Sequence, residues 1–326
     1  MADLTTKYLG LTLKNPVMVS SCGLTETAGG VKKCEDAGAG AVSMKSVFEE
    51  QINAEVSQLA DASLHGHTEW QDYLTAYAKE DSLKAYLNEL EKAKTSVSIP
   101  VFGSVNCVSN TGWTDFIRRI ESTGVDGVEL NIYVMPRDLY QTSQDIEMVY
   151  VDILKEVKSK ATIPVVLKLP PYFTTPSRLI KRLADDGADG FVLFNRSIPF
   201  DIDIESQEIA VKNVMSAPQE MSYSLRTISL VAGEHKSSIA ASTGVHNTEA
   251  VIKHLLAGAD VVQLCSAVYQ NDAGFLGKLV ENLNAWLDAH GNASVDEIRG
   301  KLSRKQNPGQ DAYERVQYIK IFAGIQ

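Results

Sequence analysis

Two lysines and three asparagines stand out because each ends an apolar run. Lys168 closes the run in IPVVLKLPPYF and Lys45 the run in AVSMK. Asn106, Asn131 and Asn195 close FGSVN, GVELN and FVLFN. A charge at the end of a segment that must be buried is costly unless something requires it. One such lysine alone reads as a side chain snorkelling to solvent from a strand end, and one such asparagine as a turn residue. Five at equivalent places describe a ring of amide donors, amide acceptors and two cations around one cavity. That ring suits a planar polar heterocycle with carbonyls and ring nitrogens.

Two further apolar runs end in small residues, Ser242-Thr243-Gly244 and Cys265-Ser266-Ala267, each just before a helical pattern. Small residues there let backbone N–H groups and helix N-termini hold a phosphate. A ligand with a phosphate at one end and a polar heterocycle at the other is expected, and flavin mononucleotide (FMN) fits both. A cation against the pyrimidine edge of a flavin stabilises the negative charge that appears there on reduction, which gives Lys168 a reason to be charged. Pro170 and Pro171 end its strand at once and hold its backbone. The alternative reading keeps only a barrel and a phosphate site, with Lys168 as a Schiff-base lysine of the aldolase or lyase kind.

The elements that must position these residues follow from a repeated joint. DAGAGAVSMK (36–45), STGVDGVELN (122–131), DDGADGFVLF (185–194) and LAGADVVQLC (256–265) each read as a helix end, a glycine C-cap, a tight turn and a buried strand. NPVMVSS, IPVFGSVN, IPVVLKLP and SSIAAST supply four more strands. Strands centred near Met18, Ser43, Gly103, Glu129, Val166, Val192, Ala240 and Gln263 alternate with amphipathic helical patterns. The fold class is α/β, an eight-fold βα (TIM) barrel. An open doubly wound sheet is the alternative, but no GxGxxG follows the first strand. Long loops leave strands 2 and 6, over 46–80 and 197–221, at the end of the barrel where active sites are built. The chain reads as a single domain over 1–326, with a core over about 7–290 and a C-terminal extension, 291–326, packed outside.

Composition narrows the partners. The net charge of −10 and the pI of about 5.2 argue against nucleic acid and against anionic membrane. Cys22, Cys34, Cys107 and Cys265 form no CxxC pair and no zinc-ligand spacing, so no metal is expected and free thiols in a reducing compartment are. The N-terminus lacks a signal-peptide pattern, and no apolar stretch approaches the ~20 residues of a membrane helix. A cytoplasmic location is expected.

KLPPYF, taken with NPVM, SMKS, ELN, the STG segment and QLCSAVY, resembles the dihydroorotate dehydrogenases, and most closely their soluble class, over roughly residues 7–303. The resemblance implies an FMN-dependent oxidoreductase of pyrimidine biosynthesis. It would oxidise the CH–CH bond of dihydroorotate to orotate, with an orotate-like small-molecule substrate and a homodimeric assembly. It places Lys168 and Lys45 at the flavin, with Lys45 also near the substrate, and Asn131 and Asn195 at substrate or ring. Ser21 would meet the cofactor, and Thr243, Gly244, Cys265 and Ser266 its phosphate. The sequence departs from the family in the catalytic loop after strand 4. Where the family reads Asn-Leu-Ser-Cys-Pro-Asn, with the cysteine as general base, this chain reads NIYVMPR, which puts Tyr133 at the serine and Val134 at the cysteine. Tyr133, Cys107, and His65 or His67 of the first long loop are the candidate replacement bases. Arg196, where the family has Ser or Thr, is a candidate for binding a substrate carboxylate through its fork. The departures leave open a relative acting on another small acid or cyclic amide, or a flavin-binding protein with little dihydroorotate activity. The electron acceptor is not legible.

Overall fold

A computed structural model describes residues 1–48, 83–106, 112–135, 138–197, 200–272 and 274–308. Eight strands carry the fold: β1 (Val17–Val19), β2 (Ala41–Ser43), β3 (Val101–Asn106), β4 (Gly127–Asn131), β5 (Val165–Leu169), β6 (Gly190–Leu193), β7 (Ser238–Ala241) and β8 (Val261–Leu264). All neighbours pair in parallel, and β8 pairs with β1, so the sheet closes on itself. Helices α1 (Ala28–Asp36), α2 (83–96), α3 (Gly112–Glu121), α4 (Ser143–Lys158), α5 (Pro176–Asp185), α6 (Met221–Val231), α7 (Thr248–Ala257) and α8 (Phe275–Ala289) follow the strands in turn. This is the expected TIM barrel.

The strands are apolar on both faces for two different reasons. Val128, Leu130, Leu167, Leu169 and Val262 belong to the large core shared with the helices. Met18, Ala41, Phe102, Val166, Val192, Ala240 and Val261 form a smaller cluster inside the barrel. Tyr8 and Leu13 complete that inner cluster from a two-stranded hairpin (Thr6–Tyr8 with Leu11–Leu13), and Tyr8 meets Phe102 edge-on at 5.7 Å. The hairpin therefore stoppers the N-terminal end of the barrel. Two residues further along the strands the interior turns polar. Ser104, Glu129, Lys168 and Gln263 are all buried there, so the chemistry sits at the C-terminal end.

The repeated joint takes the expected form. Gly258 caps α7 with φ 119°, and a Cβ there would lie 2.3 Å from the Ala232 side chain. Gly38, Gly124 and Gly187 take the same left-handed conformation at the other three joints.

The two long excursions fare differently. The first lies almost wholly outside the described residues, and with it His65 and His67. The second contains a hairpin, Phe200–Asp203 paired with Glu208–Val211. Its return segment, 213–217, comes back over the barrel mouth, where the Ser216 amide donates to Ser266 Oγ at 2.9 Å. Beyond α8, residues 293–304 run along the outside of the barrel. The amides of Leu302 and Arg304 donate to Leu256 and Ser229 carbonyls at 2.8 Å.

Candidate cofactor and active site

Lys168 is 5 % exposed, deep in the mouth. Its ammonium donates to Ser20 Oγ at 3.0 Å and to Glu129 Oε1 at 3.2 Å. The other carboxylate oxygen, Glu129 Oε2, accepts from Gln263 Nε2 at 2.9 Å, and Ser20 Oγ donates to Gln263 Oε1 at 3.1 Å. Four side chains from β4, β5, β8 and the residue after β1 thus close a ring of hydrogen bonds. A buried ammonium is tolerable because a carboxylate and a hydroxyl meet it. Glu129, Gln263 and Ser20 were not singled out as site residues from the sequence. Glu129 and Gln263 sit mid-strand at inward positions in otherwise apolar runs, and that was the available signal.

The rim of the mouth is polar in the same way. Asn195 Nδ2 donates to Asn131 Oδ1 at 2.8 Å, joining the ends of β4 and β6, and Asn131 is the register neighbour of Lys168. Ser21 Oγ lies 3.0 Å from Ser46 Oγ, which lies 2.7 Å from Ser104 Oγ. Asn106 ends β3 beside Phe48.

The expected phosphate end is made of a loop rather than long helix termini. Asn247 caps α7 and accepts from the Ala250 amide, so the helix begins five residues past Thr243. The helix after β8, Ser266–Gln270, is a single turn. Thr243 and Gly244 both have positive φ, 78° and 75°, and Thr243 Oγ1 donates to the Phe194 carbonyl at 2.9 Å. A Cβ on Gly244 would lie 2.3 Å from the Met221 amide nitrogen. This loop can pass under α6 only with glycine there. The amides of Gly244 and Val245 make no hydrogen bond to other described residues. Both line a cavity of about 150 Å³ that also includes Ser21, Lys168, Asn195, Thr243, Cys265 and Ser266. Free backbone donors at one end and the Lys168 ring at the other are the donor set a phosphate and a polar heterocycle need, so the residues present fit FMN.

Other predicted residues are engaged elsewhere. Lys45 is 36 % exposed and its ammonium sits on Glu26 at 2.7 Å, so it does not close the ring around the mouth with Lys168. Arg196 is not free for a substrate carboxylate. Its Nε meets Glu220 Oε2 at 2.7 Å, and its Nη1 and Nη2 donate to the Val214 and Asn213 carbonyls at 2.8 and 2.7 Å. The guanidinium clamps the return segment of the excursion to the turn before α6. Arg196 and Asn195 also form a wall between the small cavity and a second one of about 680 Å³, lined by Tyr172, Phe173, Phe194 and Tyr223. Tyr133 stands in the loop after β4, its hydroxyl accepting from Ser197 Oγ at 3.0 Å. The Val134 amide donates to Tyr150 at 3.2 Å. Cys107 lies outside the described residues.

Cys265 and Cys22 perturb one another. The Cys265 thiol, the Tyr269 hydroxyl and nearby amides hydrogen-bond Cys22 and pull its thiol down to about 6, against the effect of burial. The same contact, with burial, pushes Cys265 up. Both sulfurs are free. Among the described residues no group of three metal-ligating side chains occurs, and no helix is long and apolar enough to cross a membrane.

A family model described as dihydroorotate dehydrogenase matches residues 3–287. Several curated relatives agree over nearly their whole length. The chain is 28% identical over 308 residues to the dihydroorotate dehydrogenase B (NAD(+)) catalytic subunit of Thermoplasma volcanium, covering 92% of this chain and 98% of the relative. The proteins of the same name from Methanocaldococcus jannaschii and Pyrococcus furiosus are 26% and 27% identical, over 91% and 90% of this chain and 97% of each relative. With a closed βα barrel, a buried lysine at the end of β5 and a donor-lined cavity beside it, the chain is an oxidoreductase of the dihydroorotate dehydrogenase family.

Proposed function

We propose that the chain binds FMN in the mouth of the barrel and oxidises the CH–CH bond of dihydroorotate to orotate. The observation that carries this reading is the joining, in one cavity, of the buried Lys168 ring to the free amides of Gly244 and Val245. When bound, FMN would supply the hydride acceptor. Lys168 would face the pyrimidine edge of the ring, and Ser21 and Asn195 would fix its polar edge. The phosphate would be held by the Gly244 and Val245 amides with Thr243 and Ser266, while Cys265 lines the wall.

The substrate side rests on Asn131 and Asn195, whose paired amides present one hydrogen-bonding edge. The proton that leaves carbon needs an acceptor that Val134 cannot provide. Tyr133 is the described group at that place. Ser197 already donates to its oxygen and holds the ring in place. Lys45 would serve the mouth by holding Glu26 at its edge.

The relatives' names describe catalytic subunits of NAD(+)-linked enzymes. By analogy this chain would work with a partner subunit that passes electrons onward to NAD(+), and as a homodimer in the cytoplasm. An anaerobic titration with dihydroorotate, followed in the visible spectrum, tests the reading. Bleaching of the flavin bands within seconds is expected. Bands that bleach with dithionite but not with dihydroorotate would assign another small acid or cyclic amide as substrate. A colourless protein that takes up no FMN would overturn the cofactor as well.

A further inference from the structure

Lys168 does not stand alone under the ring position; a buried carboxylate shares its charge. We infer that Glu129 is a positioning residue that, with Gln263 and Ser20, fixes the Lys168 ammonium and sets how strongly it favours the reduced over the oxidised cofactor. The inference rests on the FMN reading above.

The geometry leaves Lys168 little choice. Glu129 is 2 % exposed and its two oxygens have different partners, Lys168 on one and Gln263 on the other. Gln263 is 1 % exposed, and its amide orientation is fixed at both ends: its nitrogen donates to the carboxylate and its oxygen accepts from Ser20. Ser20 then accepts from Lys168. Rotating any one member breaks two contacts among side chains that are almost wholly buried. Below the ring lie Met18, Val166, Val192 and Val261 with the buried Tyr8, whose phenol is pushed up by burial and by the Glu129 charge, and Cys265 lies within reach of the Lys168 charge.

The charge balance gives the direction. A lone ammonium would favour the reduced cofactor, which carries negative charge, over the neutral oxidised one. A carboxylate 3.2 Å from that ammonium offsets part of the preference. Gln263, by donating to Glu129, takes back part of the offset. Glu129 acts through Lys168, so its effect should vanish when Lys168 loses its charge.

The test measures the ratio of FMN affinities for the two oxidation states, through the midpoint potential of the loaded protein against a reference dye, alongside the affinity of apoprotein for oxidised FMN. Glu129→Gln keeps the shape and removes the charge. It should shift the ratio about tenfold toward reduced FMN, about 30 mV upward for a two-electron couple. Gln263→Met, which returns the whole carboxylate charge to Lys168, should shift it about threefold the other way. In Lys168→Gln protein, adding Glu129→Gln should change the ratio less than twofold. A merely structural Glu129 would weaken both oxidation states equally and leave the ratio unmoved. That outcome, or additive shifts in the double variant, overturns the inference. If Glu129→Gln protein does not fold, an unmoved ratio in Gln263→Met overturns it instead. Failure of the unaltered protein to bind FMN at all would strike the cofactor reading, and is separately visible as a colourless preparation.

Discussion

The two sides of the barrel mouth are built on opposite plans. On the side that faces the cofactor, buried polar side chains from β4, β5, β8 and the residue after β1 are tied to each other, and backbone amides in the loop after β7 are left unspent. On the other side, in the segments that follow β2, β4 and β6, the long polar side chains are spent on the protein itself. Lys45 holds Glu26, Arg196 holds Glu220 and two carbonyls, and Tyr133 is held by Ser197. A prebuilt donor set suits a ligand that stays, because ordering costs are met during folding. A rim clamped by its own residues suits a ligand that enters and leaves through loops. The family resemblance follows the same line: it is tight at KLPPYF and QLCSAVY and breaks at NIYVMPR.

The contrast can be broken most severely at Lys168. Lys168→Ala strands a buried carboxylate. It should lower unfolding free energy by about 3–5 kcal/mol in denaturant titration and abolish FMN retention on a desalting column. Next comes the opposite side. Tyr133→Phe should lower the rate of flavin reduction by dihydroorotate about 10²–10⁴-fold while the affinity for FMN holds within twofold. Equal losses in both would dissolve the distinction between the sides.

Gly244→Ala returns to the cofactor side. It places a Cβ against the Met221 nitrogen at a left-handed φ, so thermal unfolding should move down by the equivalent of about 2–3 kcal/mol and FMN binding should weaken with it. Arg196→Ala sharpens the other side. As a clamp it should cost about 1–3 kcal/mol of stability, and the KM for substrate should change less than threefold. A KM increase of a hundredfold with stability intact would restore the guanidinium to the substrate.

The smallest effect is chemical. Cys22 should react with iodoacetamide with a midpoint near pH 6. The thiolate is the reactive form, so reaction persists above that pH and fades below it. Cys265→Ser, which exchanges the thiol partner for a hydroxyl, should move the midpoint by less than one pH unit, whereas Cys265→Ala should raise it toward the ordinary thiol range.

The barrel was legible because its signals are local and repeated. Four glycine joints and eight apolar runs each carry their own period, and all eight strands lie where those runs predict. Lys168 was legible because its charge conflicts with its neighbours. Glu129 and Gln263 carry the same conflict, but they fall mid-run, where a single polar residue looks like an edge of alternation. Only closure of the sheet brings positions 129, 168 and 263 face to face. The fates of Lys45 and Arg196 were not legible for a related reason. Their partners, Glu26 and Glu220, lie in turns whose path depends on the loops around them. A fork that matches a carboxylate is satisfied equally by one from the protein.

The stopper at the closed end of the barrel has a consequence in time. Thr6 Oγ1 donates to the Asp260 carbonyl across 254 residues, Arg299 reaches back to Thr6 across 293, and Asn284 to Ala2 across 282. The β1 strand likewise waits for β8. At synthesis rates of roughly 5–20 residues per second, the first strand leaves the ribosome roughly 10–50 s before its last partner exists. Through that interval the apolar faces of β1 and of the stopper hairpin lack the partners that bury them in the finished barrel, which leaves aggregation-prone surface exposed on the nascent chain. The barrel is sealed last at the seam where synthesis began.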